Sequence, residues 1–178
     1  LTRDFAEAQK YAKFIKSAAD ATGLTCSLIC AIGSRESNWG LSLRPRGPAG
    51  VGDPASRHGR PAPDGGWGRG LMQIDYEAAE FAKDPAQWQD PEKNIAFGSQ
   101  ELAANLVTIH RRFPSLSPEE ALEAAVASYN TGLGNVTKSI NLHRDVDSTT
   151  AGKDYSKDVL SRAAWFDAQG FGDKIAGA

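Results

Sequence analysis

The sequence predicts an α+β fold, predominantly helical, with a small β-ribbon. Three observations predict it. Five long segments repeat apolar residues at helical spacing. Residues 40–70 hold nine of the 18 glycines and five of the nine prolines, and no helical period survives there. The stretch "GLMQID" at 70–75 alternates instead, as a short strand does.

Residues 1–22 read as one helix with Phe5, Ala8, Ala12, Ile15 and Ala19 on its buried stripe, ended by Gly23. Thr25 can cap a second helix over 26–39, in which Leu28, Ile32 and Glu36 stack at i, i+4, i+8 and Gly40 is the stop. The irregular stretch 40–70 exceeds the ~12–15 residues usual for an uncovered loop, which marks it as functional or mobile. In "GLMQID", alternation puts Met72 and Ile74 toward the core and Leu71, Gln73 and Asp75 on the other face. A short helix is expected over Tyr76 to Lys83. Asp90-Pro91 opens a long helix to Arg112, whose stripe is Ile95, Leu102, Leu106 and Ile109. Further apolar residues around it (Phe97, Ala103, Val107) make it the expected central helix. "SPEE" at 117–120 is a capping box and starts a helix to Tyr129. Gly132 and Gly134 break the chain. A last helix over 153–169 carries Tyr155, Val159, Ala163 and Phe166 on one stripe, with Gly170 as its stop.

Composition narrows the function classes. The net charge of -2 gives no global basic field, so no nucleic-acid partner is expected. No apolar run approaches the ~20 residues of a membrane span, and no membrane insertion is expected. The N-terminal stretch is amphipathic and lacks a signal peptide's apolar core. Cys26 and Cys30 sit one helical turn apart, too far for a disulfide, and read as free core thiols. His58, His110 and His143 are scattered, so neither a metal nor any other cofactor is expected.

Three carboxylates carry the chemistry. Glycosidic hydrolysis needs a proton donor for the leaving oxygen and often a second carboxylate to activate water. Glu36, at the end of an apolar helix in "SRES", suits the donor. The helix's negative pole and the wall of Leu28 and Ile32 both disfavour its charge. Arg35 lies about 100° around the helix and points elsewhere. Asp53 in "GVGD" and Asp75 in "GLMQID" are the water-side candidates. Taken singly, each has a structural explanation as well: a solvated helix-end glutamate, a turn aspartate before proline, and a helix cap. In "ASYNTGLGN", Tyr129 can meet a sugar ring and Asn130 can donate and accept at once, although a helix cap with a core tyrosine fits equally. Trp39 and Trp67 are sugar platforms or core residues.

The ordered set "SRES", "GLMQID", "SYNTGLGN" and "DYSKDVLSRA" resembles the goose-type lysozymes over most of the chain. The resemblance implies a lysozyme-like fold with a substrate cleft, one catalytic domain over 1–178, and a muramidase acting on bacterial cell-wall peptidoglycan. It implies Glu36 as the acid, Asp53 and Asp75 as its partners, and Gln73, Tyr129, Asn130 and Tyr155 as substrate-binding residues. Inverting hydrolysis would then set the carboxylates roughly 6.5–9.5 Å apart. Such an enzyme works as a monomer, secreted or periplasmic, with no cofactor and no membrane insertion; an inhibitor partner is not readable. This chain departs from vertebrate members by inserting "PASRHGRPAPDGGWGR" before "GLMQ", which adds Asp64 as a rival to Asp53. Two alternatives stay open: a lytic transglycosylase, which needs one glutamate, and a non-catalytic peptidoglycan-binding module.

Overall fold

The computed structural model describes residues 1–171. Three helices come first: α1 (Thr2–Gln9), α2 (Ala12–Thr22) and α3 (Cys26–Ser37). Three two-residue strands follow: β1 (Val51–Gly52), β2 (Gly68–Arg69) and β3 (Ile74–Asp75). The rest is helical: α4 (Pro85–Trp88), α5 (Pro91–Arg112), α6 (Pro118–Thr131), α7 (Leu133–Asn141) and α8 (Tyr155–Ala168). The strands form one antiparallel sheet in the order β1-β2-β3, pairing Gly52 with Gly68 and Gly68 with Asp75. The predominantly helical α+β prediction holds. Among the described residues no single helix is long and apolar enough to cross a membrane.

The helix at the centre is α3, with ten of its 12 residues buried. Helices α1, α2 and α8 all pack against it. Thr25 caps it as expected, its Oγ1 accepting from Leu28 N–H at 3.2 Å. Cys26 and Cys30 are both buried in the core. The helix stops earlier than predicted, at Asn38 in the left-handed conformation (φ 49°) rather than at Gly40. Asparagine is the residue after glycine that tolerates this cap.

Helix α5 borders two cores instead of forming the centre. Ile95 and Leu102 enter the larger one, and Ile109 joins Ala121, Ala124, Ala127 and Val136 in the smaller. Leu106 packs on both, while Val107 is 65% exposed. Its cap is as read: Asp90 accepts from Glu92 and Lys93 N–H groups. The Ser117–Glu120 capping box on α6 is complete in both directions, at 3.1 and 2.8 Å. Each such cap contributes about 1 kcal/mol.

Four further features differ from the sequence reading. The first helix is broken at residues 10–11, because the Tyr11 ring turns in to stack on Trp39, with centroids 5.7 Å apart. Gly132 does end α6, but Gly134 lies inside α7, which the sequence reading missed. Only 74–75 of "GLMQID" is strand; 70–73 is the turn joining β2 to β3, and Leu71, Met72 and Ile74 are all buried. The helix expected over 76–83 shrinks to a 3-10 turn at Glu80–Lys83.

One side chain fixes that turn. Asn94, fully buried on α5, accepts from Met72 N–H at 2.9 Å and donates to the carbonyls of Arg69 and Trp88, both at 3.1 Å. No water can replace these bonds, so losing them leaves buried backbone groups unpaired. Asn94→Ala is expected to destabilise the chain by about 2–4 kcal/mol, measured by urea unfolding. A loss under about 1 kcal/mol would mean that packing alone holds the turn.

Candidate active site

The four residues of "SRES" reach three other parts of the fold: α1, α8 and the β2–β3 turn. Ser34 Oγ donates to buried Asp4 on α1 at 2.6 Å. Arg35 Nη1 donates to Asp158 on α8 at 2.9 Å, and its guanidinium lies 5.5 Å from the centre of the Tyr155 ring. Ser37 Oγ donates to Leu71 O in the β2–β3 turn at 2.7 Å. Glu36 Oε1 accepts from the Tyr155 hydroxyl of α8. The last turn of α3 is thus pinned on three sides while its carboxylate faces a cavity. Asp158 also accepts from Arg162 Nε at 2.7 Å, which keeps Arg35 turned away from Glu36.

Burial pushes the Glu36 carboxyl from its ordinary value of 4.5 up to about 7. The Tyr155 hydrogen bond and, more weakly, the Arg35 charge pull it down, and burial outweighs both. The neighbouring phenols respond to the same surroundings. Burial first, and then the charge of Glu36, raise Tyr155 and Tyr129 well above their ordinary value. Both therefore remain hydrogen-bond donors at neutral pH.

Two adjoining cavities meet at Gln73. One, of about 540 Å³, is lined by Glu36, Ser42, Gly52, Asp53 and Gln73. The other, of about 480 Å³, is lined by Gln73, Asp75, Glu101, Tyr129 and Asn130. Gln73 lies flat across the sheet, donating from Nε2 to Gly70 O at 2.8 Å. It can do so because its neighbours are glycines. A Cβ on Gly52 or Gly68 would come within 2.1 or 2.2 Å of its Oε1. Gly52 of "GVGD" and Gly68 of "GWGRG" are thus the imprint of one amide side chain.

The structure brings Asp53 to the cavity of Glu36 and Asp75 to the adjoining one. Arg57 bridges the two aspartates at 2.6 Å each. Asp64 stands apart, its side chain 87% exposed and 3.5 Å from Arg69. Tyr129, half-buried, donates its hydroxyl to Met72 O at 2.8 Å, and Asn130 Oδ1 accepts from Ala151 N–H at 2.9 Å. Tyr155 is only 2% exposed and reaches Glu36 rather than the open cavity. Trp39 and Trp67 are both buried, Trp39 donating to Cys30 O at 3.0 Å and Trp67 to Ala55 O at 2.7 Å.

Sequence reasoning missed two charged groups here. Glu101, raised by burial and by the Asp75 charge, lines the second cavity. Its signal was present: Asn94, Gly98, Glu101 and Asn105 fall on one face of α5. Arg57 lies in the insertion, where no periodicity points to a partner.

The lysozyme g family profile matches residues 2–170. A lysozyme g from Epinephelus coioides is 32% identical over 166 residues, 93% of this chain and 79% of that protein. One from Gallus gallus is 31% identical over 169 residues, 95% of this chain and 69% of that protein. The chain is also similar, at 28% identity over 138 residues, to a membrane-bound lytic murein transglycosylase F 2 from Alkalilimnicola ehrlichii. That match covers 77% of this chain and 25% of the other.

The position of Glu36 has a cost in stability that depends on pH. Its folded value, about 7, exceeds its ordinary 4.5. Between these values the folded chain keeps a proton that the unfolded chain releases, so stability falls as pH rises and the loss is complete above about 7. Glu36→Gln removes the titration. It is expected to be more stable than the parent by about 1–3 kcal/mol at pH 8 and nearly equal at pH 4, measured by urea unfolding at both. An equal difference at the two pH values would contradict the raised value.

Proposed function

The chain belongs to the lysozyme g family, and from that premise we propose that it is a muramidase of one catalytic domain that hydrolyses bacterial peptidoglycan. The bond cleaved is the β-1,4 link between N-acetylmuramic acid and N-acetylglucosamine. The observation that carries this reading is a half-buried glutamic acid, held protonated up to about pH 7, in one cavity with an aspartate. A general acid works best when its pKa lies near the working pH.

In this reading Glu36 gives its proton to the glycosidic oxygen as the C1–O bond breaks. A water on the opposite face of the sugar attacks C1 and loses a proton to the aspartate side, Asp53 with Asp75. One displacement inverts the anomeric centre. Tyr155 acts through Glu36: its O–H holds the carboxyl in place and tempers the rise in its pKa. Gln73 offers an amide at the junction of the two cavities, and Tyr129 and Asn130 border the second, so a glycan strand can run through both. The groove is built within a single chain, which fits a monomer. Its substrate places the work outside the cytoplasm, in the periplasm or the extracellular space.

The similarity to a lytic transglycosylase favours a second reading. There Glu36 returns as a base, the sugar's own 6-hydroxyl attacks, and the product ends in an anhydro sugar. Product masses separate the two, because the hydrolysed end is heavier by one water. Hydrolysed ends are expected, and anhydro ends would overturn the proposal. Glu36→Gln is expected to lower the rate of wall lysis about 10²–10⁴-fold. Asp53→Asn should lose far more activity than Asp64→Asn, and the reverse order would move the site onto Asp64.

A further inference from the structure

The insertion places a cation between the two aspartates. Arg57 Nη1 donates to Asp75 Oδ2 and Nη2 to Asp53 Oδ2, each at 2.6 Å. Its guanidinium stacks over Trp67, 5.0 Å from the ring centre, and Glu77 lies 3.6 Å away. Trp67 is itself buried and anchored through Nε1 to Ala55 O in the same insertion. The fork is therefore held from behind as well as from both ends.

The four carboxylate oxygens are not equivalent. Asp75 Oδ1 accepts the N–H groups of Glu77 and Ala78, at 2.8 and 3.1 Å. Asp75 Oδ2 and Asp53 Oδ2 are taken by Arg57. Among the described residues, Asp53 Oδ1 alone has no donor. It belongs to the aspartate that lines the cavity of Glu36, whereas Asp75 lines the adjoining cavity.

We propose that Arg57 is a positioning residue that ties Asp53 to Asp75, so that Asp53 is the base that accepts the water's proton and Asp75 is its anchor. This rests on the muramidase reading above. In the step, a water oxygen bonds to C1 and the C1–O bond to the leaving sugar breaks. The leaving oxygen takes the proton of Glu36, and the proton released by the water goes to Asp53 Oδ1. Arg57 stays charged throughout and exchanges no proton. Its planar fork spans two carboxylates in a fixed geometry, which a lysine cannot do. Half-exposed ion pairs contribute little to stability, so removing Arg57 should leave the fold intact.

The test is steady-state kinetics on soluble, uncrosslinked peptidoglycan strands, with thermal melting of each variant alongside. Arg57→Ala is expected to lower kcat about 10- to 100-fold, with KM changed less than about threefold, as a misplaced reacting group does. Arg57→Lys should stay close to the alanine variant. Asp75→Asn should match it too, and the double variant should be little worse than either, since both cut one tether. The proposal is overturned if Arg57→Ala keeps wild-type kcat, if only KM rises, if lysine restores the rate, or if the two losses multiply. Should Arg57→Ala not fold, Arg57→Lys and Asp75→Asn carry the test, and wild-type kcat in either overturns it. Asp53→Asn separates the layers. Full activity there removes the base itself, while an inactive Asp53→Asn beside an active Arg57→Ala removes only the tether.

Discussion

The rest of the site depends on a glutamic acid that is half-buried and given one hydrogen-bond donor. A carboxylate in such a place costs several kcal/mol unless it is paired or protonated. Glu36 is not paired: the nearby arginine is committed to Asp158, and its other neighbour is a phenol. The remaining way to relieve the cost is to keep the proton. The phenol fixes where that proton is held without removing it, because a tyrosine that is itself buried does not ionise near neutral pH.

This constraint explains much of the architecture. An unpaired carboxyl stays at one point only if the backbone under it cannot shift, and α3 supplies that as the most enclosed helix described. Ser34, Arg35 and Ser37 then lock its last turn to α1, α8 and the β2–β3 turn. The small sheet has a different task. Its strands are too short to be stable alone, and they borrow order from Asn94 on α5 and from Tyr129 on α6. In return they carry Asp53, Gln73 and Asp75 past the mouth of the groove. The acid is half-buried beside a phenol, whereas the aspartates share Arg57 and Asp75 also accepts backbone N–H groups.

Where local chemistry decided the structure, the sequence was readable. The caps at Thr25, Asp90 and Ser117 placed three helices, and the order of "SRES", "GLMQID" and "SYNTGLGN" pointed to Glu36 and Asp75. Tertiary contacts decided the rest. Nothing near Lys10 signals a break, which follows from a ring stacking on Trp39, a residue 28 positions beyond Tyr11. Helix α7 hid behind two glycines, although Leu133, Val136 and Ile140 were spaced for it. "GLMQID" alternates like a strand, yet a buried asparagine 22 residues beyond Met72 holds its first four residues in a turn. The resemblance supplied Tyr155 as a substrate-binding residue, and its helix stripe does not say that its hydroxyl also meets Glu36. Arg57 was silent for the same reason: an arginine in a proline-rich insertion has no pattern until the fold supplies its partners.

The central claim is that burial keeps Glu36 protonated near neutrality. Its side-chain carboxyl carbon can be followed by ¹³C NMR in glutamate-labelled protein, with Glu36→Gln identifying the resonance. A midpoint near 7 is the result expected. A midpoint near the ordinary 4.5 would contradict the account, because the group would then reach neutral pH with no proton to give.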